Sequence, residues 1–244
     1  FDNEFVPTIE HLESLVDDDT VAILYNFPSN PTGATITKPQ RDALVTFAQK
    51  HDLWIITDEV YDRIVFDGEH VSFVGSDDER VILINSFSKT FAMTGWRIGY
   101  IMSANKEAMA QMIKLQYYIT ACSNDAMQYA VLAAFENAND YPDEMCAEFK
   151  ARRDLICTRL NAMPGVQCHV PEGAFYVFPK VEVPGMSSEE VAIELLKGGV
   201  LCSPGSAFGQ SGEGHLRFAY TISRDDISRG MDKTEAVLKR LRGE

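Results

Sequence analysis

VAILYNFPSNPTGATITKPQRDALVTFAQKHDLWIITDEVY, from Val21 to Tyr61, carries two short apolar runs, 21–26 and 53–58, on either side of a helical stretch, 38–51. Both runs are rich in β-branched residues and mostly apolar rather than alternating, the pattern of strands covered on both faces. Thr37 stands ahead of Lys38 and Pro39, a plausible cap followed by proline in the first turn. Strand, helix and strand in a row make a βαβ unit, which puts the chain in the α/β class. Two further runs of the same kind, 81–87 and 97–103, extend the set.

Beyond Ser103 the pattern turns helical. Stretches 106–118, 124–137 and 141–163 place apolar residues at three- and four-residue spacing. Pro164 and Gly165 then break the chain. Beyond them the segments are shorter and mixed: strand-like 166–170, 174–178, 200–202 and 216–220, with helices at 188–197 and 224–242. This is an α+β module, so a domain change is expected near residue 145, giving domains 1–145 and 146–244. No internal repeat is visible. The chain begins with Phe1 rather than Met, and 1–19 reads as the middle of a large domain, so the true N-terminus is expected further upstream.

Composition narrows the function classes. There are 22 basic and 36 acidic residues, a net charge of −14, which argues against nucleic-acid binding because phosphate backbones demand clustered Lys and Arg. Five scattered cysteines, odd in number and without a CxxC pair, read as reduced thiols in a cytoplasmic protein. The five histidines show no metal spacing, so no metal is expected. No apolar run reaches membrane-helix length, and the first residues lack a signal-peptide pattern.

Three segments carry candidate chemistry. In Ser86-Phe87-Ser88-Lys89-Thr90 a lysine follows directly on an apolar strand. A buried ammonium is costly, and a desolvated lysine with a lowered pKa is a good amine nucleophile toward an aldehyde. Ser86, Ser88 and Arg97 lie near enough in sequence to converge on an anion, and an arginine fork suits phosphate oxygens. Standing alone, Lys89 reads equally as a surface-loop lysine beside a serine turn. Thr57-Asp58-Glu59-Val60-Tyr61 ends the second strand with an acid; by itself Asp58 reads as a turn cap and Tyr61 as packing. Asn26-Phe27-Pro28-Ser29-Asn30-Pro31-Thr32-Gly33 ends the first strand in a rigid turn, able to fix Asn30 at the carboxyl edge of the sheet, where open α/β sheets bind ligands.

Taken together and in order, Asn30-Pro31-x-Gly33, Asp58-x-x-Tyr61 and Ser86-x-Ser88-Lys89 with Gly95-Trp96-Arg97-x-Gly99 resemble the signatures of pyridoxal-phosphate-dependent aminotransferases of class I and II. The resemblance implies a three-layer, mostly parallel sheet of a fold type I large domain, present in part, with a smaller C-terminal α+β domain. It implies pyridoxal 5'-phosphate held as a Schiff base on Lys89, which then moves a proton between the substrate α-carbon and the cofactor. Asp58 would pair with the pyridine nitrogen, which lets the ring accept electrons. Asn30 and Tyr61 would bond the ring oxygen, and Ser86, Ser88 and Arg97 would hold the phosphate. Arg217, in His215-Leu216-Arg217-Phe218-Ala219, resembles the arginine that grips the substrate carboxylate, with Asn30 beside it; alone it reads as a surface salt bridge. Phe175 reads as pocket lining or core, and Trp54 as packing.

The reaction implied moves an amino group between an L-amino acid and a 2-oxo acid, in a homodimer without nucleic-acid or membrane partners. The family also has a segment ahead of this chain's first residue. It supplies a phosphate-binding turn, a ring that stacks on the pyridine and part of the substrate pocket. Without it, an exposed sheet edge and limited activity are expected. The rival readings are a β-eliminating lyase on the same cofactor, a ligand-sensing aminotransferase-like domain of a regulator, and a degenerate structural relative.

Overall fold

In the computed structural model the described residues are 5–76 and 78–243. Residues 1–4 of the opening stretch lie outside them. The chain divides into two compact units, one built from Phe5–Pro28 and Thr35–Met145, the other from Ser29–Ala34 and residues 146–243.

The first unit runs α1 (Ile9–Glu13), β1 (Ala22–Asn26), α2 (Lys38–Lys50), β2 (Trp54–Asp58), β3 (Val81–Ser86), α3 (Phe87–Thr90), β4 (Gly99–Met102), α4 (Lys106–Thr120) and α5 (Asp125–Asn137), and includes the start of α6 (Tyr141–Asn161). Its sheet has the order β1-β2-β3-β4; the first three strands are parallel and β4 is antiparallel to β3. The sheet is therefore mixed but mostly parallel, as the βαβ pattern demands. α2 is fixed at its start by a capping box: the Thr37 hydroxyl accepts from Gln40 N–H while the Gln40 side chain accepts from Thr37 N–H. Leu44, Val45, Phe47 and Ala48 form its buried side.

The register shows which sheet face is covered. Tyr25, Ile55, Thr57, Val81, Leu83 and Asn85 alternate onto one buried face. The opposite face carries Leu24, 72% exposed, and Ile84, 38% exposed. All four residues of β4 are exposed as well. The reading of these strands as covered on both faces thus holds for one face only. The apolar pattern records what a strand prefers to touch, and the described residues supply cover on a single side.

The second unit continues α6 and adds β5 (Val166–Gln167), β6 (Tyr176–Val177), β7 (Lys180–Val181), α7 (Ser188–Lys197), β8 (Ser203–Pro204), β9 (Leu216–Ala219) and α8 (Arg224–Arg242). All its pairings are antiparallel: β5 with β7, and β6 and β8 on either side of β9. The strand expected at 200–202 is displaced, since β8 pairs Ser203 with Arg217 and Pro204 with Leu216. α8 buries Ile227, Met231, Val237 and Leu238, a stripe at helical spacing. The turn Ser29–Ala34 packs in this unit: Glu172 N–H and Gly173 N–H both donate to Gly33 O, at 3.1 and 2.9 Å. Gly33 has φ +71, and a Cβ there would meet Pro171 Cβ at 2.3 Å and Gly173 O at 2.8 Å, so only glycine fits.

Candidate active site

β1, β2 and β3 end on Asn26, Asp58 and Ser86, so three parallel strands bring their last residues to one carboxyl edge. Asn26 Nδ2 donates to Asp58 O at 3.0 Å, tying the first two ends together. Asp58 is half-buried, and its Oδ1 accepts from Val60 N–H at 3.2 Å. Burial raises the carboxyl above its ordinary range; the Val60 bond opposes the rise and the Glu59 charge adds to it. The turn role of Asp58 is therefore real, and it leaves a carboxyl with a perturbed titration at the sheet edge.

Glu59, which the sequence did not mark, is 2% exposed and anchors this end of β2. Its Oε2 lies 2.7 Å from His70 Nε2, and its Oε1 accepts from Phe73 N–H at 3.0 Å. Tyr61 is buried two residues further on.

Past β3 the chain turns sharply. Ser86 caps α3, its Oγ accepting from Ser88 N–H at 3.0 Å. This places Lys89 on the short helix rather than on an extended strand end. Lys89 Nζ lies 5.9 Å from the centroid of the Tyr61 ring. Burial lowers the ammonium's pKa, and the neighbouring charge of Arg97 lowers it further. Arg97 sits at φ 54, with its guanidinium donating to Thr94 O at 2.8 Å. Ser86, Ser88 and Arg97 line one cavity of about 660 Å³ with Tyr100, Met109 and Ile113. β4 reaches β3 closely here: a Cβ on Gly99 would lie 2.6 Å from Asn85 O.

The second unit holds the other two expected residues. Arg217, on β9, donates to Asn30 Oδ1 at 2.8 Å and to Ser203 Oγ at 3.1 Å. Its guanidinium carbon lies 4.8 Å from the Tyr176 ring and 4.9 Å from the Phe208 ring. Arg217 is thus a fork held by two rings, an amide and a hydroxyl. Phe175 is core, packed 5.4 Å from Phe149; Tyr176 beside it is the ring on the arginine. Tyr176, Ser203 and Phe208 lie in the segments 173–176 and 203–209, which the family resemblance sets beside the substrate; their contacts with Arg217 are what the fold adds. Among the described residues no cluster of three or more His, Cys, Asp or Glu can hold a metal, and no helix is long and apolar enough to cross a membrane.

A mostly parallel α/β sheet with Asp58 and Ser86 at its carboxyl edge and Lys89 on the turn that follows has the architecture of fold type I enzymes. Known proteins of that class match this chain. Residues 1–233 match the family model for aminotransferase class I and II, and the chain belongs to that family. It is 41% identical over 244 residues to the aromatic-amino-acid aminotransferase 2 of Thermococcus litoralis, covering 98% of this chain and 62% of that one. It is 38% identical over 244 residues to an aspartate aminotransferase of Pyrococcus abyssi, with the same two coverages. Among solved structures, the aromatic aminotransferase of Pyrococcus horikoshii superimposes with a TM-score of 0.93 at 38% identity, covering 98% of this chain and 65% of that one. The aspartate aminotransferase of Thermus thermophilus with maleate gives 0.91 at 31% identity, covering 97% and 62%. The chain spans about 62% of the length of the curated relatives it matches.

Proposed function

We propose that the whole protein is an aminotransferase, moving an amino group between an L-amino acid and a 2-oxo acid with pyridoxal 5'-phosphate. The observation that carries this reading is the desolvated Lys89 amine, set on a serine-capped turn beside a cavity that Ser86, Ser88 and Arg97 line. The donor set suits the cofactor: Ser86, Ser88 and Arg97 line one cavity, a combination that can hold a phosphate ester, and a lysine of lowered pKa follows directly on Ser88.

When bound, pyridoxal phosphate supplies an electron sink for negative charge at the substrate α-carbon. Lys89 would hold its aldehyde carbon and, once released, carry a proton to and from the substrate α-carbon. A lowered amine pKa keeps more of the free base at working pH. Asp58 would face the pyridine nitrogen and keep a proton there, a task for which its raised basicity suits it. Tyr61 and Asn30 would bond the ring oxygen; Ser86, Ser88 and Arg97 would hold the phosphate. Arg217 would take the substrate α-carboxylate, since Asn30, Ser203 and two rings already orient its fork. The names of the relatives support aspartate or an aromatic amino acid as the first substrates to try. The reading extends to a cytoplasmic homodimer, supported by the family resemblance and the scattered cysteines.

The test is to incubate the chain with pyridoxal phosphate, record the visible spectrum, reduce with borohydride and map the modified peptide. Label confined to Lys89 and lost in Lys89→Ala, with a band that shifts on adding an amino acid, is the expected result. Label scattered over surface lysines would overturn the assignment. Products then separate the chemistries: a 2-oxo acid with aminated cofactor means transamination, and pyruvate with ammonia means elimination.

A further inference from the structure

The turn bearing Lys89 hangs from one carboxylate that belongs to a different segment of the same unit. Asp62 Oδ2 accepts from Asn85 Nδ2 at 2.9 Å, and Asp62 Oδ1 accepts from Thr90 Oγ1 at 3.3 Å. Asn85 and Thr90 bracket Ser86, Ser88 and Lys89, so both ends of this stretch are tied to Asp62. Asn85 is only 5% exposed, and its other amide atom, Oδ1, accepts from Ser86 N–H at 2.6 Å. Ser86 passes the connection on to Ser88 N–H. The carboxylate's own backbone is fixed in turn, since Asp62 N–H donates to Glu59 O at 3.0 Å and Ile64 N–H to Tyr61 O at 2.8 Å.

We propose that Asp62 is the positioning residue of Lys89, coupling the β2 end that carries Asp58 and Tyr61 to the turn that carries the amine. The proposal rests on the reading of Lys89 as the cofactor lysine. The chemistry requires an acid at this position. Both partners approach as donors, an amide NH2 and a hydroxyl, and a carboxylate accepts on both oxygens. An asparagine of the same shape would turn its own NH2 toward one of those donors and lose that bond. Through Thr90 and Asn85 the carboxylate fixes where the Lys89 stem leaves the backbone, and hence how far the amine is withdrawn from water beside Tyr61 and Arg97.

The experiment compares wild type, Asp62→Asn, Thr90→Val and the double variant Asp62→Asn with Asn85→Asp. The double variant keeps the charge and reverses the sense of the bond between positions 62 and 85. The first readout needs no cofactor: trace acetylation of each lysine followed by mass spectrometry across pH. In Asp62→Asn the Lys89 profile is expected to move upward, toward that of an ordinary lysine, as the loosened turn exposes the amine. Losing a negative charge alone would move it downward, so the direction separates positioning from simple electrostatics. Thr90→Val, which changes no charge, is expected to give a smaller upward move, and the double variant to restore the wild-type profile.

The second readout is pyridoxal-phosphate label at Lys89 after borohydride, expected to fall by about tenfold in Asp62→Asn and recover in the double variant. A Lys89 profile unmoved or moved downward in Asp62→Asn, or unmoved in Thr90→Val should Asp62→Asn fail to fold, overturns the proposal. If wild type takes no label at Lys89, the cofactor reading falls, while the acetylation profiles still decide the role of Asp62.

Discussion

Asp58 and Lys89 share an energetic signature: each is held where its charged form is disfavoured. The folded pKa of Asp58 is raised, so its contribution favours the fold at low pH and is lost as pH rises through that value. At neutral pH the ionised, half-buried carboxylate opposes folding. The folded pKa of Lys89 is lowered, so its charge opposes folding at neutral pH, and that cost disappears above the ordinary lysine value of 10.5. Asp58→Asn and Lys89→Met are therefore each expected to raise the urea midpoint at pH 7 while abolishing the proposed activity. The Asp58→Asn gain should shrink toward pH 3.8, the ordinary aspartate value, and the Lys89→Met gain should shrink above pH 10.5. An unchanged or lowered midpoint at pH 7 would show that these groups are comfortable where they sit. Neither residue was legible by itself, since Lys89 alone reads equally as a surface lysine and Asp58 alone as a turn cap; the ordered set of Asn30, Asp58 and Lys89 and its resemblance to a family made them so. Glu59 and Asp62 were not legible, because each breaks no local rule and acquires its meaning from partners that the fold supplies; Tyr176 and Phe208 lay in segments that the resemblance placed near the substrate, but their stacking on Arg217 comes from the fold alone.

Among the elements, those with long periodic patterns matched their sequence reading closely. Helices 188–197 and 224–242 have the expected ends, and the four strands of the first unit differ from theirs by one or two residues at an end. Two-residue ladders such as β7 and β8 carry too few residues for any period, and tertiary pairing alone decides where they fall. Phe87 was read as the last residue of a strand because it is apolar; the Ser86 cap was the signal that a helix begins there. Turn chemistry yields two predictions at this scale. Thr37→Ala removes the capping box of α2 and is expected to cost about 1 kcal/mol of stability. Gly33→Ala must accept a left-handed φ and a clash with Pro171 and Gly173, and is expected to cost about 2–4 kcal/mol. Urea denaturation monitored by circular dichroism checks both; equal costs would mean that the turn relaxes freely.

The whole chain balances a charge of −14 against exposed apolar residues on the sheet and on α4 and α5, among them Leu24, Ile113, Tyr118 and Tyr129. Repulsion keeps copies apart only while that charge stands unscreened. Light scattering is therefore expected to rise steeply as pH nears the isoelectric value of about 4.8, and to rise with salt at pH 7. Scattering that ignores both variables would mean that the apolar surface is already satisfied in solution. β4 gives such association a direction, being an end strand, antiparallel to its neighbour and exposed at every residue. Collapse of greasy surfaces is indifferent to orientation, but a ladder of open amides and carbonyls grows one rung at a time along a single axis. In colloidal language, the sheet is a particle with two sticky edges, β1 and β4, and its early aggregates should be filaments that bind thioflavin rather than amorphous droplets.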